Sequence, residues 1–169
     1  MHLANNLWLD DLRKELPESF EDCYVLEMGS RDINGTPRKW FQRCKYIGVD
    51  MEHGVGVDIR CKLKDTHFHK DQFDTIISLN CLMHDKEWRE SLDHNLKFLK
   101  VGGVFICSFG GDVPRNYPDF VDIDKSEFVK VLELNDLEIK DLFFESDRYP
   151  LESLTHGDKK GMLNVIARK

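Results

Sequence analysis

Two carboxylates stand where apolar runs stop. Glu27 closes "YVLE" and Asp50 closes "YIGVD", about 20 residues later, the offset at which an acid usually meets a ribose. Between them runs "GSRDINGTP", residues 29 to 37, with Gly29 at its start and Gly35 before Thr36-Pro37. Threonine caps orphan helical N–H groups and proline suits the first helical position, so the stretch reads as strand, glycine-bearing loop, helix start. Alpha/beta proteins bind nucleotides at such loops. A P-loop needs four residues between its glycines and a lysine after the second; here five intervene and Thr36 follows. A dinucleotide fingerprint uses three glycines to bring a pyrophosphate onto the helix start. Ser30, Arg31 and Asp32 occupy those middle positions, and Glu27 repels a pyrophosphate. The same carboxylate attracts an ammonium or a sulfonium. Asp50 is placed to accept two hydrogen bonds from a ribose diol. The expected ligand is therefore cationic at one end and a nucleoside at the other.

Other side chains with chemical potential follow the later apolar runs. Arg31 is either a surface charge or the partner of a ligand carboxylate. Asn80, Cys81 and Leu82 leave the end of "FDTIISL", at the edge where open α/β sheets bind ligands. A packed or pocket-lining thiol is the preferred reading of Cys81 over a nucleophile. His84, in "LMHD", is a candidate general base, set against a histidine satisfied by Asp85 or water. Tyr117 and Phe120 sit in "GGDVPRNYPDFVDID", a long proline-punctuated stretch of the kind that forms lids, and are the candidate acceptor contacts. For Phe120, packing against the domain's own helices competes. His53, His67, His69 and His94 lack a ligand pattern with partner acids, so no metal site is expected.

These residues need elements to hold them. Hydrophobic periodicity predicts a helix over 6–16 and strands over 24–28, 46–50, 56–59, 73–79, 104–109, 138–145 and 162–169. Further helices are predicted from Pro37 to about Cys44, turning Trp40, Phe41 and Cys44 inward, over 85–100 with Trp88, Leu92, Leu96 and Leu99 on one face, and over 125–134. Gly102-Gly103 is read as the stop of the second of these. Alternating strands and helices imply a parallel, doubly wound sheet covered on both faces, with the last two strands as an edge hairpin.

At 169 residues the chain is expected to form one domain over 1–169. Its 41% hydrophobic and 33% charged residues are ordinary for a soluble globular protein. No apolar run approaches membrane-spanning length, and the first 20 residues lack a signal-peptide layout. Five scattered cysteines without a CxxC argue for reduced thiols and a cytoplasmic setting. A net charge of −7 gives no help in holding a phosphate backbone.

The chain resembles the class I S-adenosylmethionine-dependent methyltransferases, particularly small type 11-like domains, over nearly its whole length. "VLEMGSRDINGT" looks like their first motif with its glycines reduced to two, and "YIGVDMEHGVGVDI" like the second-strand acid motif. "FDTIISLNCLMHD" resembles the fourth-strand motif, and "LKFLKVGGVFICSF" the entry to strand five, with Val101 in place of proline. The resemblance implies a seven-stranded sheet of order 3-2-1-4-5-7-6 and S-adenosyl-L-methionine as cofactor, leaving as S-adenosyl-L-homocysteine. Glu27, Gly29, Ser30, Arg31, Gly35, Asp50, Met51, Asp58, Asn80, Cys81 and Leu82 are the implied cofactor residues, with His84 catalytic. The acid that often meets adenine in such families falls near Lys62, which leaves main chain around Cys61 to Leu63, or Asp58 or Asp65, for that contact. The expected acceptor is a small molecule, with RNA or protein as competing classes and a homodimer as a possible assembly. The runner-up function is a non-catalytic cofactor-binding protein or small subunit of a heteromer. A dinucleotide or nucleotide-sugar oxidoreductase is third.

Overall fold

The computed structural model describes residues 3–110, 120–149 and 162–169. Strands β1 (Tyr24–Met28), β2 (Lys45–Asp50), β3 (Ile59–Arg60), β4 (Phe73–Leu79), β5 (Leu99–Gly110), β6 (Glu138–Phe144) and β7 (Met162–Arg168) form one sheet. Its order is β3-β2-β1-β4-β5-β7-β6, as the resemblance implies. The first five strands are parallel, and β7 runs antiparallel to both β5 and β6. Both faces are apolar, which is why β1 and β4 read as nearly continuous hydrophobic runs.

One face is covered by α1 (Leu3–Glu15), whose Trp8, Leu9 and Leu12 pack in a core with Val25, Ile77, Val104, Ile106 and Ile166. Trp8 meets Phe143 edge-on at 5.9 Å. The other face carries α2 (Trp88–Leu96) and α3 (Lys125–Leu134). Trp88, Leu92, Phe128 and Leu132 share a core there with Leu26, Met28, Ile76, Phe105 and Val165. Asp124 caps α3 by accepting from the N–H groups of Ser126 and Glu127 at 2.9 and 3.0 Å. A short α4 (Glu145–Arg148) follows β6. Among the described residues no helix is long and apolar enough to cross a membrane.

Three local expectations are corrected. The helix expected from Pro37 to Cys44 is a single 3-10 turn, Pro37–Trp40, started by Thr36, whose hydroxyl accepts from Arg38 N–H at 3.1 Å. Beyond it the chain turns extended, because Gln42 N–H bonds Phe20 O at 2.8 Å and Phe41 stacks on Phe20 at 4.8 Å. These tertiary contacts override a weak helical preference. Likewise, Leu99 belongs to β5, opposite Phe73, and α2 ends at Leu96. Gly102 and Gly103 serve a bulge in β5, between the Phe73–Leu99 and Thr75–Val104 pairs, with Gly102 at φ +81°. Strand three starts at Ile59, after a turn through Gly56, where a strand over 56–59 was expected.

Candidate functional site

At the carboxyl end of the sheet, β1 gives way to a turn held against β2. The N–H groups of Gly29 and Ser30 both bond Val49 O, at 2.8 and 3.1 Å. Gly29 has φ +80°, and a Cβ there would lie 2.4 Å from both Cβ and Sγ of Cys81, at the end of β4. The loop then folds onto the link between β2 and β3. Asp32 N–H bonds Val55 O at 2.8 Å, and Asp32 Oδ1 accepts from Gly35 N–H at 2.8 Å. Two glycines that the sequence reading passed over make this contact possible. A Cβ on Gly48 would lie 2.4 Å from Gly56 O and 2.6 Å from Ser30 Cβ; one on Gly56 would lie 2.6 Å from Ser30 O. The available signal was a glycine inside the β2 pattern, which marks a close backbone approach.

The acids differ sharply in environment. Glu27 is 4% exposed, and its Oε2 accepts from Tyr46 Oη at 3.0 Å. Burial pushes its carboxyl up to about 7, against the pull of the Tyr46 bond and the Arg38 charge. Asp50 is half-buried, and its two oxygens accept from the N–H groups of Arg31 at 3.2 Å and Glu52 at 2.9 Å. Asp58 faces elsewhere. It pairs with Arg38 at 2.5 Å and accepts from Gly48 N–H at 2.7 Å. Some desolvation works against its charge, but those two bonds hold its carboxyl below the usual range.

Glu27 and Asp50 line one cavity of about 840 Å³ at this edge. Gly29, Arg31 and Gly35 join them from the first loop, and Met51 and Glu52 from the end of β2. Lys62, Leu63, Asn80 and Cys81 also line it. Asn80 has φ +57°, a conformation asparagine tolerates, and its N–H bonds Ser108 O at 2.8 Å. Burial, and then the charges of Asp50 and Asp85, push the Cys81 thiol up to about 12. It is protonated at neutral pH and unsuited to nucleophilic attack.

His84 also lines the cavity, at the end of the helical turn Leu82–His84, with its exposed ring 4.5 Å from Phe120 and tilted by 44°. Phe120 lines the cavity too. Val121 N–H bonds Met83 O at 2.7 Å, and Met83 Sδ accepts from Gly110 N–H at 3.2 Å, so both flanks of the Tyr117 segment rest on Met83. Tyr117 itself lies outside the described residues.

Three of the sequence candidates do not line the cavity. Asp58 is taken by Arg38, Ser30 is buried against Gly48, and Leu82 is wholly in the core. The side chains of Asp58 and Ser30 are turned away from it by these contacts, while for Leu82 the expected contact was through its backbone. Conversely, Met83 and Lys86 line it without having been singled out. Their signal was their place just after the end of β4. Among the described residues no group of three His, Cys, Asp or Glu is placed to hold a metal ion.

No family model matches the sequence, and no curated protein is significantly similar to it. Solved structures are similar in fold. The 1,6-didemethyltoxoflavin-N1-methyltransferase of Burkholderia thailandensis, crystallised with 1,6-didemethyltoxoflavin and S-adenosylhomocysteine, matches with a TM-score of 0.73 at 16% identity, over 99% of this chain and 78% of that one. Geranyl diphosphate C-methyltransferase of Streptomyces coelicolor, solved with Mg2+, geranyl diphosphate and S-adenosyl-L-homocysteine, gives 0.71 at 14% identity, over 97% and 80%. An S-adenosylmethionine-dependent methyltransferase of Mesorhizobium loti gives 0.67 at 15% identity, over 95% and 96%. The chain has the class I S-adenosylmethionine-dependent methyltransferase fold.

Proposed function

We propose that this chain binds S-adenosylmethionine in the cavity at the carboxyl edge of the sheet and transfers its methyl group to a small-molecule acceptor. The observation that carries the reading is the pair Glu27 and Asp50, on the tips of adjacent strands, facing one cavity across the Gly29 turn. Glu27 suits the cationic amino-acid end and Asp50 the ribose diol, while Met51 and Leu63 offer apolar surface to adenine. Lys62 has no acceptor to offer the adenine amino group, so that contact falls to neighbouring main chain. When bound, S-adenosylmethionine supplies an electrophilic methyl on a sulfonium leaving group. The protein's part is to orient the acceptor near His84 and Phe120 and to keep water out.

A small molecule is favoured because a chain of net charge −7 has little to offer a nucleic-acid backbone. Calorimetry is expected to show binding of S-adenosylmethionine and S-adenosylhomocysteine, with neither NAD nor ATP binding measurably. Tight NAD binding without either sulfur ligand sinks the assignment. Transfer of a labelled methyl group to an acceptor separates an enzyme from a chain that only binds the cofactor.

Asp50→Ala is expected to weaken S-adenosylhomocysteine binding by about 1.5 to 3 kcal/mol, the range for hydrogen bonds to a charged group. Asp50→Asn keeps one acceptor oxygen and is expected to lose less. An unchanged dissociation constant in a normally folded Asp50→Ala protein places the ribose elsewhere.

A further inference from the structure

Glu27 is held in a way that cofactor contact alone does not require. Its Oε2 is fixed by Tyr46 Oη, whereas its Oε1 has no hydrogen bond among the described residues, on a side chain that lines the cavity. Tyr46 is itself clamped. The Arg38 guanidinium lies 4.6 Å from the centre of its ring, and Phe41 packs against its edge at 5.2 Å. Arg38 is tied down by Gly56 O at 3.0 Å and by Asp58. A buried carboxyl that lines the cavity thus has one oxygen on a rigid donor and the other without a hydrogen bond among the described residues.

The charges around Glu27 oppose one another. From β2 and the 37–40 turn, Tyr46 and Arg38 favour the carboxylate; from the first loop and the segment before β3, Asp32 and Asp58 disfavour it. Across on β4's end stands Cys81, a neutral thiol. Burial outweighs the favourable contacts, so without a ligand the carboxyl holds its proton to about neutral pH. A cation placed at Oε1 reverses that balance.

Resting on the cofactor reading above, we propose that the arriving cationic end of the cofactor drives the protonated fraction of Glu27 to its carboxylate, and that Tyr46 sets the pH range over which it does so. The step is a plain ionisation. The carboxyl O–H breaks, the electron pair stays on Glu27, and the proton leaves to solvent through the mouth of the cavity. Tyr46 is a positioning residue here: its hydroxyl stabilises the carboxylate and keeps its own proton, which burial and the Glu27 charge bind more firmly. The consequence is a cofactor affinity that rises with pH across the neutral range, from the protein's side.

The test is calorimetry of S-adenosylhomocysteine in buffers of different ionisation enthalpy, from pH 6 to 8.5, on wild type, Glu27→Gln and Tyr46→Phe. The ligand's own amine keeps its proton at the acid end of this range, so the proteins are compared there, at pH 6 to 7. At pH 7 wild type is expected to release about half a proton more than Glu27→Gln, since a group titrating near 7 is half protonated there. Tyr46→Phe loses a donor to the carboxylate, so its midpoint is expected to rise by about 0.5 to 1 pH unit. A merely structural tyrosine leaves that midpoint where it was. Equal proton counts in wild type and Glu27→Gln overturn the coupling while leaving the cofactor assignment standing. Failure to bind at any pH overturns both.

A second measurement needs no variant. Carbon NMR of the glutamate carboxyls is expected to show one group titrating near 7 in the empty protein and well below that when saturated with S-adenosylhomocysteine. Unchanged titration on binding overturns the proposal.

Discussion

Gly29→Ala is expected to destabilise the empty protein by about 2 to 5 kcal/mol and to abolish measurable S-adenosylhomocysteine binding. Two costs add. The backbone sits at φ +80°, where a Cβ costs about 1 to 2 kcal/mol. The new methyl also falls 2.4 Å from both Cβ and Sγ of Cys81, and overpacking of that kind costs about 1 to 3 kcal/mol. A drop in melting temperature of roughly 5 to 15 °C follows for a chain of this size. Binding suffers more than stability, because the turn that must yield carries Glu27 on one side and the Arg31 N–H that seats Asp50 on the other. Cys81→Gly in the same chain removes the atoms Gly29→Ala strikes, so the double variant is expected to be more stable than the single effects sum to. Strict additivity places the damage in backbone strain alone. A Gly29→Ala protein with wild-type melting and affinity removes this turn from the site.

The contrast between Gly29 and Asp58 shows what a sequence can convey here. Gly29 was legible because its demand is local: an apolar strand ends, an acid faces the loop, and the next turn needs a residue free to adopt positive φ. Asp50 was legible for a similar reason, as a lone carboxylate at the end of an apolar strand. Asp58 has the same look, yet Arg38, 20 residues earlier, takes its carboxylate. Nothing local announces that pairing; it exists because the Thr36 cap turns the chain at Pro37–Trp40 and the Gln42–Phe20 bond then pulls it straight. The lost helix after Thr36 and the hidden role of Asp58 are thus one event.

Leu99 and the Gly48–Gly56 contact make the same point on the scale of the sheet. Leu99 continues the helical spacing of Trp88, Leu92 and Leu96, but pairing with Phe73 claims it for β5. The alternation of elements pointed to a parallel, doubly wound sheet, and the strand order came from the resemblance alone. Which glycines let two loops touch depends on atoms from three separate segments, Ser30, Gly48 and Gly56, and no window of sequence contains all of them. Side-chain direction at a turn is lost for the same reason, so Ser30, a cofactor candidate by its place in the loop, has its side chain against Gly48 instead.

His84→Ala is expected to lower the turnover of methyl transfer by about 10² to 10⁴-fold at saturating acceptor, with S-adenosylhomocysteine affinity nearly unchanged. The residue lines the same cavity as Glu27 and Asp50, on the turn that leaves β4, and the function proposed above sets the acceptor near it. Its ring is exposed, and its backbone N–H is already spent on Cys81 O at 2.9 Å, so the turn fixes the main chain and leaves the imidazole to the cavity. As a general base only the neutral ring accepts a proton, so the wild-type rate falls when the ring is protonated while the variant's does not. The ring also packs on Phe120, which offers a rival account in which His84 merely supports an apolar wall for the acceptor. His84→Phe separates the two: it keeps an aromatic face against Phe120 and has no basic nitrogen. A base role predicts that both variants are slow and that both lose the rising limb of the pH profile. Recovery of wild-type turnover in His84→Phe, with the pH profile intact, assigns the residue to packing and leaves proton removal to the acceptor or to solvent.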